Sequence, residues 1–223
     1  MSLSPIHYID THTAGEPTRV ITGGFPDLGI GSASQRCAVM LSDHDSLRAG
    51  IVREPRGHEA MVGALLLESS LADCEAAVIF FNNVGVLGMC GHGAMGVIEA
   101  LRHAGRVDAG KCKLETNAGV VEMQLHDDGE ISLENVRSYR SASNCSVTLE
   151  GGDEVIGDIA WGGNWFFITE SPGMTVEFTN VDALTDHACR IRDALREQGV
   201  TGPDGEEIDP IDLHQPLSGT EAA

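Results

Sequence analysis

The stretch from Gly91 to Gly105 constrains the fold of this chain more than any other. As a helix it carries Ala94, Met95, Val97, Ile98, Ala100, Leu101 and Ala104 around most of its circumference. Glu99, Arg102 and His103 share one narrow polar stripe, and Gly105 is a natural stop. A helix that is apolar nearly all round has to be enclosed, which predicts a sheet wrapped around it. The material for such a sheet recurs along the whole sequence as alternating or apolar runs bounded by glycine and proline. These runs are 7–10, 19–22, 76–81, 113–115, 120–126, 131–135, 146–149, 153–160 and 165–169. Asp127, Asp128 and Gly129 sit between two alternating runs, VVEMQLH and EISLENV, and predict a hairpin turn. The expected class is α+β, a mixed sheet around a central buried helix.

A second helix is predicted from about Asp182 or Ala183 to Gln198, with Leu184, Ala188, Ile191 and Leu195 at helical spacing and Gly199 as its stop. It reads as a surface helix with one buried face. A chain of 223 residues has room for two lobes. The strand pattern pauses at VRSYRSAS, so the expected lobes are 1–135 and 136–223, the second short. The tail after Gly199 is turn-rich and polar, without an obvious closing element. No apolar run approaches the roughly 18 residues of a membrane span, and MSLSPIHYIDTHTAGEP lacks the basic and apolar segments of a secretory signal. Six cysteines without a CxxC pair suit free thiols, so a cytoplasmic location is expected. With 34 acidic residues against 14 basic ones, a nucleic-acid partner is disfavoured, because phosphate binding needs clustered Lys and Arg. The dispersed acid reads as a solvated surface.

Chemistry concentrates in FFNNVGVLGMCGHGAMG, from Phe80 to Gly96. An apolar strand gives way to a glycine-punctuated loop, and Cys90 arrives as the buried helix starts. A helix N-terminus favours a thiolate and binds carboxylates or phosphates on its free N–H groups. Gly91 and Gly93 keep side chains away from those amides, and His92 is placed to donate a hydrogen bond or to help ionise the sulfur. The opposing reading is a buried, inert cysteine. Neither dinucleotide-binding nor P-loop glycine spacing is present, and the nine histidines show no HxxxH or HExxH spacing, so no metal site is expected.

MCGHG, from Met89 to Gly93, resembles the first catalytic motif of the proline racemase and hydroxyproline epimerase family. IDTHTAGEPTRV from Ile9, EPRGH from Glu54, FFNNVGVLGMCGHG from Phe80 and DIAWGGNWFF from Asp158 match in the same order and together span nearly the whole chain. IAWGGNWFF in particular looks like the bacterial 4-hydroxyproline epimerases. The resemblance implies a two-lobed, diaminopimelate-epimerase-like fold. It also implies cofactor-independent epimerisation of 4-hydroxyproline from L-trans to D-cis, in which two cysteines flank the α-carbon. One thiolate removes the proton and the opposite thiol delivers another. Cys90 is then one acid–base group, with Gly91, His92 and Gly93 holding the substrate carboxylate. Glu54, Arg56 and His58, together with His12 and Glu16, either order the rim or make structural contacts, the latter favoured. Gly162, Gly163 and Asn164 either border the ligand or make a tight turn, and Trp165, Phe166 and Phe167 are expected in the core.

The family's second motif, Asp-Arg-Ser-Pro-Cys-Gly-Thr-Gly, has no counterpart in this sequence, and none of Cys37, Cys74, Cys112, Cys145 or Cys189 precedes a Gly-x-Gly helix start. The expected second lobe is therefore incomplete, and the expected partners are a small-molecule substrate with either a homodimer mate or a complementing C-terminal chain. Dehydration of trans-3-hydroxy-L-proline, proline racemisation and a carboxylate-binding remnant without turnover remain open.

Overall fold

A computed structural model describes residues 4–171 and 173–215. Residues 216–223 of the turn-rich tail lie outside the described residues. The chain divides into two compact units, one ending at Val136 and one starting at Arg137.

The first unit is an eight-stranded mixed sheet with two helices. Its strands are β1 (His7–Thr13), β2 (Glu16–Gly23), β3 (Val62–Leu67), β4 (Ala76–Phe81), β5 (Val86–Leu87), β6 (Gly110–Thr116), β7 (Gly119–Leu125) and β8 (Ile131–Glu134). The order across the sheet is β1-β2-β3-β4-β6-β7-β8, with β5 also pairing β4. The β2–β3 and β4–β6 pairs are parallel and the others antiparallel. Helix α2 (Gly91–His103) packs on β1, β2, β3, β7 and β8, so strands from both ends of the curled sheet reach it. Ala94, Val97, Ile98 and Leu101 join Val20, Ala64, Val78, Phe80 and Leu114 in one core.

A helix absent from the sequence reading covers the opposite face. Helix α1 (Ala33–Val52) packs on β3, β4 and β6, and its Cys37, Met40, Ile51 and Val52 share a second core with Ile21, Leu65, Ile79 and Phe81. Alternate strand residues thus serve different cores: Val78 and Phe80 face α2, and Ile79 and Phe81 face α1. That is why β4, AAVIFF, is buried at every position and reads as an unbroken apolar run.

The second unit is a four-stranded sheet in the order β12-β11-β10-β9, formed by β9 (Tyr139–Thr148), β10 (Glu154–Trp161), β11 (Trp165–Glu170) and β12 (Ile211–His214). Helix α3 (Val181–Glu197) packs on β9 and β12 and buries Ile191, Ala194 and Leu195 with Val147, Ile159, Trp165 and Phe167. The tail does contain a closing element, because β12 pairs parallel with β11. The α3 face holds its predicted spacing at Ile191 and Leu195. Leu184 and Ala188, however, line an open apolar groove with Val176, Phe178, Val181, Ile211 and Leu213. Phe166 is only half-buried, unlike Trp165 and Phe167. Gly157 carries no side chain because a Cβ there would lie 2.6 Å from the Phe167 ring. Among the described residues no helix is long and apolar enough to cross a membrane.

Candidate active site at the start of helix α2

Cys90 is the N-cap of α2, with extended backbone at φ −139° and ψ 114°, and its carbonyl accepts the Ala94 N–H at 2.9 Å. The loop that delivers it is fastened on both sides. The Asn82 side chain accepts the N–H groups of Val84 and Gly85, both at 2.9 Å, and its carbonyl accepts from the buried Arg48 at 2.7 Å. The Asn83 carbonyl accepts from Arg53 at 2.8 Å. On the other side, Ala118 donates to the Gly88 carbonyl at 3.1 Å and the Asn117 amide to the Leu87 carbonyl at 3.4 Å. The two asparagines that end β4 therefore shape the loop.

Gly91, His92 and Gly93 form the first turn of α2 beside the sulfur. The two glycines differ in necessity. A Cβ on Gly93 would sit 3.0 Å from the Phe80 ring and 3.1 Å from Cys90 Sγ, whereas one on Gly91 would meet only Leu133 at 3.7 Å. The Cys90 sulfur makes no cap hydrogen bond to the first turn, although the Gly93 amide is near enough to favour its charged form. The His92 ring nitrogens lie 3.6 and 3.9 Å from the sulfur.

The sequence expectation of a favoured thiolate is reversed. Burial pushes the Cys90 thiol up to about 11; the Gly93 N–H opposes this and the Glu16 carboxylate adds to it. A low-dielectric surrounding penalises the charged sulfur more than one amide relieves it. The resting group is a thiol, able to donate a proton.

Other predicted positions divide cleanly. Arg19 is 7% exposed. Its guanidinium grips Asp10 through two bonds of 2.9 Å, reaches the Ile51 carbonyl at 3.0 Å and also bonds the Arg56 carbonyl, while stacking over Tyr8. Arg56 in turn bonds the Gly50 carbonyl. EPRGH is thus tied to the end of α1, and its Glu54 and His58 are exposed. His12 is exposed, whereas Glu16 is near enough to act on the Cys90 sulfur. Gly162 to Asn164 form the turn between β10 and β11, with Gly163 at φ 102° and the Gly162 N–H donating to the Asn164 carbonyl. Cys37 lies in α1, Cys112 in β6, Cys145 in β9 and Cys189 in α3, each inside an element. Cys74 lies in the turn before β4.

Sequence reasoning missed Thr13, whose hydroxyl donates to the His92 carbonyl at 3.1 Å across 79 positions of chain. Its only sequence signal is its place in the THTAGEP match. A groove of about 1080 Å³ runs along α2 between β1 and the β7–β8 turn, lined by Thr11, Thr13, Met95, Glu99, His103 and Glu130 among others. Cys90 does not line it, so groove size does not mark the chemistry here. Among the described residues no cluster of three or more His, Cys, Asp or Glu is placed to hold a metal ion.

The proline racemase family profile matches residues 8–222. A 4-hydroxyproline epimerase of Burkholderia pseudomallei is 50% identical over 208 residues, 93% of this chain and 67% of that protein. A 4-hydroxyproline 2-epimerase of Pseudomonas fluorescens is 47% identical over 211 residues, 95% of this chain and 68% of that protein. Two crystal structures share the fold, each at 24% identity. One is a probable proline racemase from Agrobacterium radiobacter with bound carbonate, with a TM-score of 0.84 over 93% of this chain and 65% of that one. The other is a hydroxyproline epimerase from Agrobacterium vitis with bound trans-4-hydroxy-L-proline, with a TM-score of 0.82 over 92% of this chain and 64% of that one. The chain thus spans about two thirds of the length of these relatives. With the MCGHG motif seated at a helix start and the match running from Tyr8 almost to the last residue, this chain belongs to the proline racemase family.

Proposed function

We propose that this chain carries out thiol-based proton transfer at the α-carbon of 4-hydroxyproline, the chemistry of a 4-hydroxyproline epimerase, with Cys90 as the proton donor. The observation that carries this is the 50% identity to a 4-hydroxyproline epimerase across 93% of the chain. The half-buried thiol at the α2 start supports the assignment to Cys90. A base on one face of the substrate takes the α-proton, and the electron pair remains on the α-carbon next to the carboxylate. The Cys90 thiol then gives its proton to the other face and is left as thiolate. Gly91, His92 and Gly93 hold the carboxylate, whose neutralisation lowers the energy of the carbanion-like state. No cofactor enters this scheme, and the two units act as lobes of a diaminopimelate-epimerase-like fold, the first curled around α2. The base is the role that the family resemblance gives to the second motif, which this sequence does not contain. One-sided exchange or carboxylate binding without turnover is therefore the second reading.

The test is incorporation of deuterium at the α-carbon of trans-4-hydroxy-L-proline in D2O, followed by NMR with chiral analysis. Deuterium with inversion is the expected result where a complementing chain carrying the second motif supplies the base, and pyrrole-2-carboxylate, a planar mimic of the deprotonated ring, should suppress it. Exchange without inversion would restrict Cys90 to one face, and no exchange in the presence of intact protein would remove the catalytic reading.

A further inference from the structure

Resting on the reading of Cys90 as the acid–base group, we propose that Asn82 is a positioning residue for it, holding the β4–β5 hairpin closed beside the first turn of α2. Strand β5 is only two residues long, Val86 and Leu87, and pairs with Phe81 and Phe80. So short a strand makes too few ladder bonds to keep its own place, and the turn before it decides whether it stays. Asn82 forms that turn with all three of its polar groups. Its N–H donates to the Gly85 carbonyl at 2.8 Å, its side-chain oxygen accepts the Val84 and Gly85 N–H groups at 2.9 Å each, and its carbonyl accepts Arg48 Nη1 at 2.7 Å. An asparagine oxygen that bonds the backbone two residues on mimics and stiffens a turn. Arg48 is 2% exposed and is itself held by Asp45, so the tip is tied to α1 as well as to itself.

The hairpin reaches the reacting group by two routes. The Phe80 ring lies against the first turn of α2, since a Cβ on Gly93 would sit 3.0 Å from it. Leu87, the cross-strand partner of Phe80, packs on the α2 core, and so does Cys90. Between Leu87 and Cys90 the chain has little slack: the Gly88 carbonyl accepts the Ala118 N–H at 3.1 Å, and Met89 is 3% exposed. If β5 peels away from β4, Leu87 and Met89 go with it and water reaches the sulfur. The depth of Cys90 is thus set from the far end of the loop that delivers it. The charged or titratable groups bearing on Cys90 are Glu16 of β2 and His92 of α2, the latter with ring nitrogens at 3.6 and 3.9 Å. Strands β4 and β8 bring the apolar Phe80 and Leu133 to the same turn. A change at Asn82 alters none of these groups, so its effect on Cys90 reports burial.

The experiment follows the rate of Cys90 alkylation by iodoacetamide against pH in the full chain, with each cysteine read separately by peptide mass spectrometry. It compares the original sequence with Asn82→Ala, which loses the turn-forming oxygen, and Asn82→Asp, which keeps it. Burial pushes the Cys90 thiol up to about 11, well above the ordinary thiol value of about 8.5, and partial exposure relieves part of that difference. In Asn82→Ala the Cys90 profile should move to lower pH by about one unit, which makes alkylation near neutral pH about tenfold faster. Asn82→Asp should react no faster than the original chain. Cys37, 7% exposed in α1, reports the integrity of the first unit, and far-UV circular dichroism checks the secondary structure. An unchanged Cys90 rate in Asn82→Ala, an equal acceleration in Asn82→Asp, or an equal acceleration at Cys37 would each overturn the assignment. No substrate is needed, so the two readings fail separately. Absent deuterium exchange with faster Cys90 alkylation in Asn82→Ala removes the catalytic reading alone, and exchange with unchanged alkylation removes the role of Asn82 alone.

Discussion

Replacing Glu115 by glutamine exchanges one carboxylate oxygen for an NH2 at almost no change in volume, yet the structure assigns it a large cost. Glu115 is the penultimate residue of β6 at 4% exposure, between the start of α1 and the connection from β3 to β4. Its Oε1 accepts the Ala33 N–H at 2.8 Å, and its Oε2 accepts the Ser70 N–H at 2.8 Å and the Ser69 hydroxyl at 2.7 Å; the Ser70 hydroxyl reaches both. Hydroxyls can turn round to meet an amide, but backbone N–H groups cannot. Whichever way the introduced amide is oriented, its NH2 faces either Ala33 or Ser70, and one buried donor is orphaned. An unsatisfied buried donor costs about 1–3 kcal/mol, and loss of the charge-assisted bonds brings the expected destabilisation to about 2–4 kcal/mol. The pH dependence has a definite sign. Burial works to raise this carboxyl, but the bonds from Ser69, Ala33 and Ser70 outweigh it, so its folded value lies below the usual carboxylate range. Its contribution is therefore complete above the unfolded value of about 4.3 and is lost as pH falls through the lower folded value. Urea unfolding of the two proteins should differ by the same amount from pH 7 to about pH 5, and the difference should close below that. Both tryptophans lie in the second unit, so far-UV circular dichroism and hydrogen exchange in α1 carry the readout. Equal stability at pH 7, or a difference that widens in acid, would refute the reasoning.

Two further perturbations follow from the same geometry. Gly93→Ala should slow Cys90 alkylation and destabilise by about 1–3 kcal/mol through overpacking against Phe80 and the sulfur, whereas Gly91→Ala should stay within about 1 kcal/mol; urea titration of the pair checks the contrast. Arg19→Met should cost about 1–3 kcal/mol, because it takes the donor from the Ile51 and Arg56 carbonyls while the exposed Asp10 carboxylate falls back on water; thermal unfolding followed by circular dichroism measures it, and no measurable cost would show that those bonds are not needed.

What the sequence revealed depended on whether a segment's burial followed its apolar pattern. Helix α2 and strand β4 were legible because their apolar residues and their buried residues coincide. Helix α1 was not, although Ser32 and Gln35 form a capping box at its start. Two of its buried positions are Arg36 and Arg48, and Arg48 is accommodated at 2% exposure by Asp45, one turn back on the same helix, and by the Asn82 carbonyl, which only folding brings near. Buried arginines erase the apolar stripe that reveals a helix, and the break in helical geometry at His44 divides what remains. Strand β3, VGALLL, is a short apolar run with no period of its own. Strand β12, IDLH, is four residues in a polar tail and exists because β11 offers it an edge.

The active-site motif was legible as a position but not as a charge state, and the reason is one of magnitude. The sequence shows that Cys90 opens a helix, and a helix terminus contributes about 0.3–1 kcal/mol to a neighbouring charge, less than one pKa unit. It does not show depth, and burial moves a titrating group by several units. Here depth wins, and the thiol stands near 11. The consequence is directional. A group that keeps its proton across the physiological range is ready to deliver one to a carbanion, and no prior ionisation is needed. To remove a proton, the same sulfur must first be ionised at the expense of its desolvation, with the Gly93 N–H as its counterweight and Glu16 acting against it.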